Sequence, residues 1–362
     1  MNKPQEDPFL KKVLITVSVI SAAGLLIFIL FYATDIFLFL FAGILFSIFL
    51  RGAAFWIHQR SRFSEKSAIV VVLLLLGLTL IAGFRIFMPV ISLQIGELSR
   101  SLPVSIHQAS EKIQEISWAR NLTHILNSHY LWPSSQTVIG KTGSLITHMV
   151  GVMVDFFLMF IIGVYLALNS KLYADGFIKL IPLGKKQRVR EFIAETEIKL
   201  RGWLAGQLLT MASIGIITAL GLSILKVPLA LILGLIAGIL AFIPILGLML
   251  SLFPATVLAF AQSPELAVYV IMIYLGSHLM EVYFLIPWIQ FRSVSLPPIL
   301  VIFPQLLAGL LFGFLGLILA TPLTLTGLIF LKFFYIEDVL GDMSARTQTA
   351  INGTAGRRKR WH

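Results

Sequence analysis

The sequence predicts an all-α, polytopic helical membrane protein with about eight hydrophobic elements, two of which are helical hairpins broken by proline and glycine. Three observations lead to this fold class. The chain has 362 residues, of which 58% are hydrophobic and only 12% charged, and its mean hydropathy of +0.93 is far above that of soluble domains. Its apolar runs are long and unbroken, whereas a membrane β-barrel would show short alternating segments. Prolines and glycines interrupt two of the longest runs.

The distribution of positive charge along the chain indicates how the protein is oriented in the membrane. The formal net charge is +11, and most of the lysines and arginines fall in four segments: before Val13 and in 51–66, 169–202 and 332–362. These segments lie on one side of a membrane if the helices alternate, so the positive-inside rule predicts that both termini are cytoplasmic. We therefore expect no nucleic-acid partner. The absence of cysteine excludes disulfides and thiolate chemistry.

The N-terminal part is predicted to contain four spans. Residues 1–66 are expected to form a helical pair and a basic loop, because the apolar run 13–50 is too long for one span. The first apolar run also exceeds signal-peptide length, so we expect it to remain as a span. Residues 67–168 are predicted to hold two more spans, the first of which ends at Pro89. An external amphipathic segment at about 92–142 separates these two spans.

Three segments follow in the C-terminal half. Residues 169–202 are the most charged part of the protein and are predicted to be cytoplasmic and partly helical. Residues 203–335 form the predicted transport core, and residues 336–362 form a basic cytoplasmic tail. The core begins with a span at about Trp203–Leu225, which leads to the first of two charge-free stretches.

The first charge-free stretch is predicted to be a hairpin within the membrane. A single helix over the 35 residues Pro228–Gln262 would be about 52 Å long, whereas the hydrocarbon core is about 30 Å thick. The predicted turn contains Gly238, Pro244 and Gly247, since proline removes a backbone donor and glycine permits close approach. The alternative is a pair of ordinary spans that are only kinked at their prolines.

The second charge-free stretch, Ser293–Leu331, is 39 residues long and is predicted to be a second broken hairpin. Pro304 and Gly313 are the predicted turn residues. If the first hairpin opens outward and the second inward, the two halves of 203–331 form an inverted pair. Two interrupted segments in corresponding positions indicate a transporter binding site.

Four polar residues in or near the spans are candidates for binding or coupling. Ionisable side chains in a membrane are costly, so they tend to face the protein interior and to act. Glu281 is the strongest candidate, and His278 lies three residues earlier on the same helical face. The pair could relay a proton, share a cation, or form a structural hydrogen bond. Asp155 could act in the same way or lie solvated at the interface. The Gln207 amide could bind substrate or hold helices together.

Enzymatic chemistry is not predicted. His278 and Glu281 have no second His/Glu cluster to complete a metal site, and no H-E-x-x-H run exists. Ser277 directly precedes His278, and adjacent residues on a helix do not face each other. We therefore expect no cofactor and no metal. The predicted function is secondary transport, which exports a small polar solute or exchanges a cation for protons. The alternative is a channel or scaffold without transport.

A series of motifs in the C-terminal half carries a family resemblance. In chain order they are Gly206-Gln207-Leu208, Val227-Pro228, Gly234, Gly238, Ile243-Pro244-Ile245-Leu246-Gly247, Glu281, Ile286-Pro287, Pro298 and Ala320-Thr321-Pro322-Leu323. Because the motifs occur in this order and with this spacing, the chain resembles the autoinducer-2 exporter family of bacterial multi-pass permeases over about 200–335. It departs from the family's pattern at Ile245 and Leu248, where an aromatic residue and a proline are common.

The resemblance implies a permease of the bacterial cytoplasmic (inner) membrane, surrounded by membrane lipid. Members of the family are assigned either to the export of autoinducer-2 or to cation/proton antiport. The resemblance also implies a homo-oligomer, with a pentamer as the expected assembly, in which the C-terminal hairpins form the moving transport unit.

Overall fold

The computed structural model describes residues 17–18, 21, 34–61, 64–115, 142–244, 246–285, 297 and 299–341. Within these residues every regular element is a helix, which confirms the predicted fold class. The α-helices are α1 Thr34–Arg60, α2 Glu65–Glu115, α3 Thr142–Leu168, α4 Ser170–Lys179, α5 Lys186–Ile224, α6 Ala230–Leu240, α7 Leu246–Gln262, α8 Pro264–Met280 and α9 Ile299–Phe330. Short π-helical segments, Glu281–Leu285 and Leu331–Glu337, continue α8 and α9.

Five helices in the described part of the chain are long and apolar enough to cross a membrane. They are α1, α2, α5, α8 with its π segment, and α9 with its π segment. The end of α3 and the start of α4 form a sixth candidate, because they pass the same test together but meet at a bend of 85°. The protein is therefore a multi-pass membrane protein.

Two helices continue past positions at which the sequence predicted the boundary of a span. α2 does not end at Pro89 but runs through it and through Pro103 for 51 residues, a length of about 76 Å. Its distal part is supported by packing, since Ile91, Leu98 and Leu102 lie against the apolar core formed by α5 to α8. α5 likewise joins the charged segment before Trp203 to the following span in one helix.

α5 and α6 pack closely through small residues. A side-chain carbon added at Gly234 would lie 2.5 Å from the Cβ of Ala219, and one added at Gly238 would lie 2.9 Å from the carbonyl oxygen of Met211. Close backbone approach at small residues is the usual way in which membrane helices associate. Gly238 was predicted to be a turn residue, but it lies inside α6, where its role is to permit this contact.

The first charge-free stretch forms the predicted hairpin. α6 and α7 have 11 and 17 residues, so they are about 16 Å and 26 Å long and each is shorter than the hydrocarbon core. Pro244 lies in the turn between them, as predicted. Gly247 is the second residue of α7, and a side-chain carbon there would lie 1.9 Å from the carbonyl oxygen of Leu240. The hairpin interpretation is thus favoured over two kinked spans.

The second charge-free stretch also folds back on itself. The backbone of Gly313 has φ +61° and ψ −146°, a combination that only glycine adopts without strain. The Gln305 amide donates to the Thr321 hydroxyl at 3.3 Å, although these residues would be about 24 Å apart in a straight helix. Gly313 is therefore the turn, as predicted. Pro304 is not, because it lies nine residues earlier, within the first arm of α9.

The two hairpins approach α5 from opposite ends. The first follows the C-terminal end of α5, whereas the end of the second packs on the N-terminal end, where Phe192 contacts three rings of the α9 region, those of Phe330, Phe333 and Phe334. Arg188 fixes this contact by ion pairs to Glu337 and Asp338. The hairpins are therefore inverted relative to each other along α5, which is the arrangement that the sequence suggested.

Candidate transport site

The tip of the first hairpin is held by two residues one turn apart on α5. The Gln207 side-chain amide donates to the carbonyl oxygens of Ala241 at 2.7 Å and Phe242 at 3.3 Å. Trp203 lies edge-on to the Phe242 ring, with the ring centroids 5.8 Å apart. Both carbonyls follow the end of α6, where a helix leaves acceptors without partners. Gln207 thus replaces the hydrogen bonds that the broken helix lacks.

The tip of the second hairpin reaches the same region of α5. Phe312 and Leu315, on either side of Gly313, border the apolar cluster to which Trp203 and Leu204 also belong. Since Trp203 also contacts the first tip, the first tip and the second hairpin both pack on the N-terminal half of α5. Irregular backbone of two opposed hairpins therefore lies beside one helix.

The nitrogen of the Gln207 amide has a structural role, whereas its oxygen is available to a ligand. Its nitrogen makes both hydrogen bonds to the turn, which supports a structural role. Within the described residues its oxygen accepts no hydrogen bond, and the side chain is half-buried. The oxygen can therefore accept a hydrogen bond from a polar ligand while the nitrogen holds the turn.

Replacing Gln207 with leucine is expected to destabilise the hairpin tip. The change leaves the two carbonyl oxygens without their donor, which costs about 1–3 kcal/mol for groups kept from water. The thermal unfolding of purified protein in detergent would measure the effect. Gln187→Leu is the matched control, because Gln187 lies exposed on the same helix and its side-chain amide donates to Glu191, which is also exposed. Equal melting temperatures for the two variants would contradict this role of Gln207.

His278 and Glu281 come together as their spacing predicts. The Nδ1 atom of His278 lies 3.3 Å from Oε2 of Glu281, whose side chain is only 12% exposed. The helix changes from α to π geometry at Glu281, a feature that is frequent at functional sites. Their contact does not decide between proton transfer, cation binding and a structural hydrogen bond.

The pair lies at a defined depth along α5. α8 packs antiparallel to α5 where Gly221 approaches Ile273. Glu281 is eight residues beyond Ile273, so it lies about 12 Å further along α5, near the level of Ser213. Gln207 lies about 9 Å beyond that level. The carboxylate and the first hairpin tip thus occupy neighbouring depths on one helix.

Asp155 lies apart from this region. It is half-buried on α3, and α3 packs against α1 rather than against the hairpins. Among the described residues it makes no hydrogen bond or ion pair. The structure therefore does not bring Asp155 together with the other three candidates.

Sequence reasoning missed Gln305. Its side chain is 1% exposed, its nitrogen bonds to Thr321 across the second hairpin, and its oxygen is buried without a partner within the described residues. One signal was present in the sequence, because Gln305 is the only side-chain amide in the 39-residue charge-free run. Each hairpin is therefore held by one glutamine, the first by Gln207 of α5 and the second by Gln305 of its own first arm.

Metal ligation has no support in the described part of the chain. No group of three or more His, Asp or Glu side chains there could hold a metal ion.

Comparisons with known proteins agree with the motifs. The family model described as "AI-2E family transporter" matches residues 17–336. "Putative transport protein YueF" of Bacillus subtilis (strain 168) is 26% identical over 308 residues, which are 82% of this chain and 83% of YueF. "Putative transport protein YrrI" of the same organism is 27% identical over 308 residues, which are 80% and 84% of the two chains. A protein of Thermotoga maritima, named "Putative transport protein", is 30% identical over 153 residues, or 42% and 46% of the two chains. Because the family model covers most of the chain, this protein belongs to the AI-2E family of transporters.

Proposed function

We propose that the protein is a secondary transporter of the bacterial inner membrane that exports a small polar solute, similar to autoinducer-2, or exchanges a cation for protons. The observation that carries the proposal is that two oppositely oriented hairpins pack on α5 with their turns at membrane depth. Trp203 contacts the first turn, and the second hairpin borders the same apolar cluster as Trp203. Lipid offers backbone amides and carbonyls no hydrogen bonds, so broken helices at this depth are tolerated only inside protein or along a wet cavity. Paired broken helices of inverted orientation are typical of transporter binding sites.

The polar groups near the tips suit a small polar solute. Gln207 offers an acceptor oxygen at the first tip, and Gln305 and Thr321 offer an amide and a hydroxyl in the second hairpin. His278 and Glu281 supply a group that can take up and release a proton close to the same depth. In this proposal the amides bind the solute or cation, and the carboxylate couples its movement to protons.

The proposed orientation follows from the charges. The N-terminal half of α5 carries five lysines and arginines, and Arg51, Arg60 and Lys66 lie near the ends of α1 and α2 that follow each other in the chain. The positive-inside rule therefore assigns this end to the cytoplasm, together with both termini. The first hairpin then opens outward and the second inward. Large apolar side chains such as Leu310 and Phe314 are exposed on the second hairpin. We propose that lipid and the neighbouring subunits of a homo-oligomer, with a pentamer as the expected assembly, cover them.

Flux measurements in liposomes test this proposal. Purified protein is reconstituted and offered labelled polar solutes, Na⁺ or K⁺, with and without a pH gradient, while a dye inside the vesicles reports proton movement. We expect flux of at least one of these species to respond to the pH gradient, relative to empty liposomes. Conductive ion flow without coupling would instead indicate a channel. If neither solute flux nor proton movement exceeds the control, a scaffold role is favoured.

A further inference from the structure

A second polar site lies away from the hairpins, at the junction of α1, α2 and α5. It is a cavity of about 340 Å³, whose wall includes Arg51 and His58 of α1, Glu65 and Ile69 of α2, and Arg201 of α5. This volume lies within the range of small-molecule sites. None of these residues belongs to the proposed transport site.

Arg51 and Arg201 carry more N–H donors than the two neighbouring carboxylates accept. One carboxylate oxygen of Glu197 accepts from both arginines, at 3.1 Å from Nη1 of Arg51 and 3.1 Å from Nη2 of Arg201. Glu65 reaches only Arg51, at 3.5 Å, and its side chain is 55% exposed. The Nε–H groups of both arginines are buried without a hydrogen-bond partner in the described structure. The side chains of Arg51 and Arg201 are 22% and 35% exposed, so a further anion can reach their terminal N–H groups from the cavity.

Packing holds Arg201 in place before any ligand arrives. Its side chain passes over Gly52, where an added Cβ would lie 3.3 Å from the Cγ atom of Arg201. Its guanidinium carbon lies 5.5 Å from the centre of the Phe55 ring. A side chain that is already ordered loses little conformational freedom on binding, which favours affinity.

The residues around the cavity indicate that it lies at the level of the lipid phosphate groups. The cavity lies at the ends of α1 and α2 that meet at the short connection between them. Exposed apolar side chains, Trp56 and Val70, lie beside it on the same helices, and the guanidinium of Arg60 stacks 5.0 Å above the Trp56 ring. Tryptophan and arginine at helix ends are typical of the membrane–water interface.

We propose that this cavity binds a phosphate group, which Arg51 and Arg201 hold through their planar donor groups. Arginine matches the geometry of phosphate because its N–H groups can form parallel hydrogen bonds to two oxygens. The headgroup of an anionic phospholipid and free inorganic phosphate share this chemistry. The position at the interface favours the lipid, which would lie between α1, α2 and α5 and stabilise the junction.

Native mass spectrometry of the full-length protein in detergent tests the proposal. Phosphatidylglycerol, phosphatidylcholine and inorganic phosphate are titrated separately against the wild type, Arg201→Gln and Arg190→Gln. Arg190→Gln is the matched control, because it removes the same charge from the same helix at an exposed residue outside the cavity. We expect wild type to bind phosphatidylglycerol at least tenfold more tightly than phosphatidylcholine. Arg201→Gln should lose at least tenfold in affinity, and Arg190→Gln should stay within twofold of wild type.

The results of these titrations distinguish a lipid phosphate from free inorganic phosphate as the ligand. Binding of inorganic phosphate that Arg201→Gln abolishes, without preference for phosphatidylglycerol, supports the site with free phosphate as its ligand. Equal effects of Arg201→Gln and Arg190→Gln on every ligand would overturn the proposal, because they would indicate unspecific attraction to a basic protein. If Arg201→Gln does not fold, Arg201→Lys retains the charge, and wild-type affinity in that variant would overturn the proposal as well.

Discussion

Glu281→Gln is expected to abolish flux driven by a pH gradient while the protein remains folded. Glutamine keeps the shape and the hydrogen-bonding capacity of the side chain but cannot release a proton. Because Glu281 is largely buried and contacts His278 at 3.3 Å, it is the described residue best suited to carry a proton near the hairpin tips. The measurement compares initial flux into liposomes at several pH gradients, with equal amounts of monodisperse wild-type and variant protein.

His278→Gln supplies the second arm of this experiment. If Glu281 carries the proton and His278 tunes it, this variant should shift the pH dependence of flux without abolishing flux. A purely structural pair predicts the reverse, namely lower yield and melting temperature but ordinary coupling in the protein that survives. Normal proton-coupled flux in well-folded Glu281→Gln protein would falsify the proton-carrying role.

Gly247→Ala is expected to disrupt the first hairpin. The added carbon would lie 1.9 Å from the carbonyl oxygen of Leu240 and 2.4 Å from its carbon, and backbone atoms cannot rotate away as a side chain can. Overpacking typically costs 1–3 kcal/mol, and we expect about 3 kcal/mol or more here because α6 and α7 must separate. The expected result is a lower melting temperature in detergent, reduced yield of monodisperse protein and loss of flux.

Gly276→Ala provides the control for this prediction. Gly276 also lies in a helix of the transport core, but a side-chain carbon there would meet nothing within 4 Å. Alanine is favoured over glycine in helices by about 1 kcal/mol, so this variant should be as stable as wild type or slightly more so. Wild-type stability and flux in Gly247→Ala would show that the two helices do not meet as closely as the structure has them.

The sequence alone determined the features that depend on local spacing. Length and hydropathy identify a membrane protein, because a charge-free run either spans or folds back within a layer of fixed thickness. Proline and glycine identified the hairpins, and Pro244, Gly247 and Gly313 lie at or directly beside the turns. His278 and Glu281 meet because residues three apart share one face of a helix.

Tertiary structure decided the features that depend on distant parts of the chain. Gly238 and Pro304 resemble turn residues in the sequence, yet both lie within helical arms, and Gly238 serves contact with α5. The bond from Gln207 to Ala241 joins residues 34 apart, and the contact of Arg51 with Glu197 joins residues even more distant.

These long-range contacts depend on which turns of the packed helices face each other, and periodicity within one helix carries no information about its neighbour. The sequence could therefore indicate that Gln207 lies within a span. Only the packing of α5 against α1 and α6 brought Gln207 to a hairpin turn, and Arg201 to a cavity with Arg51.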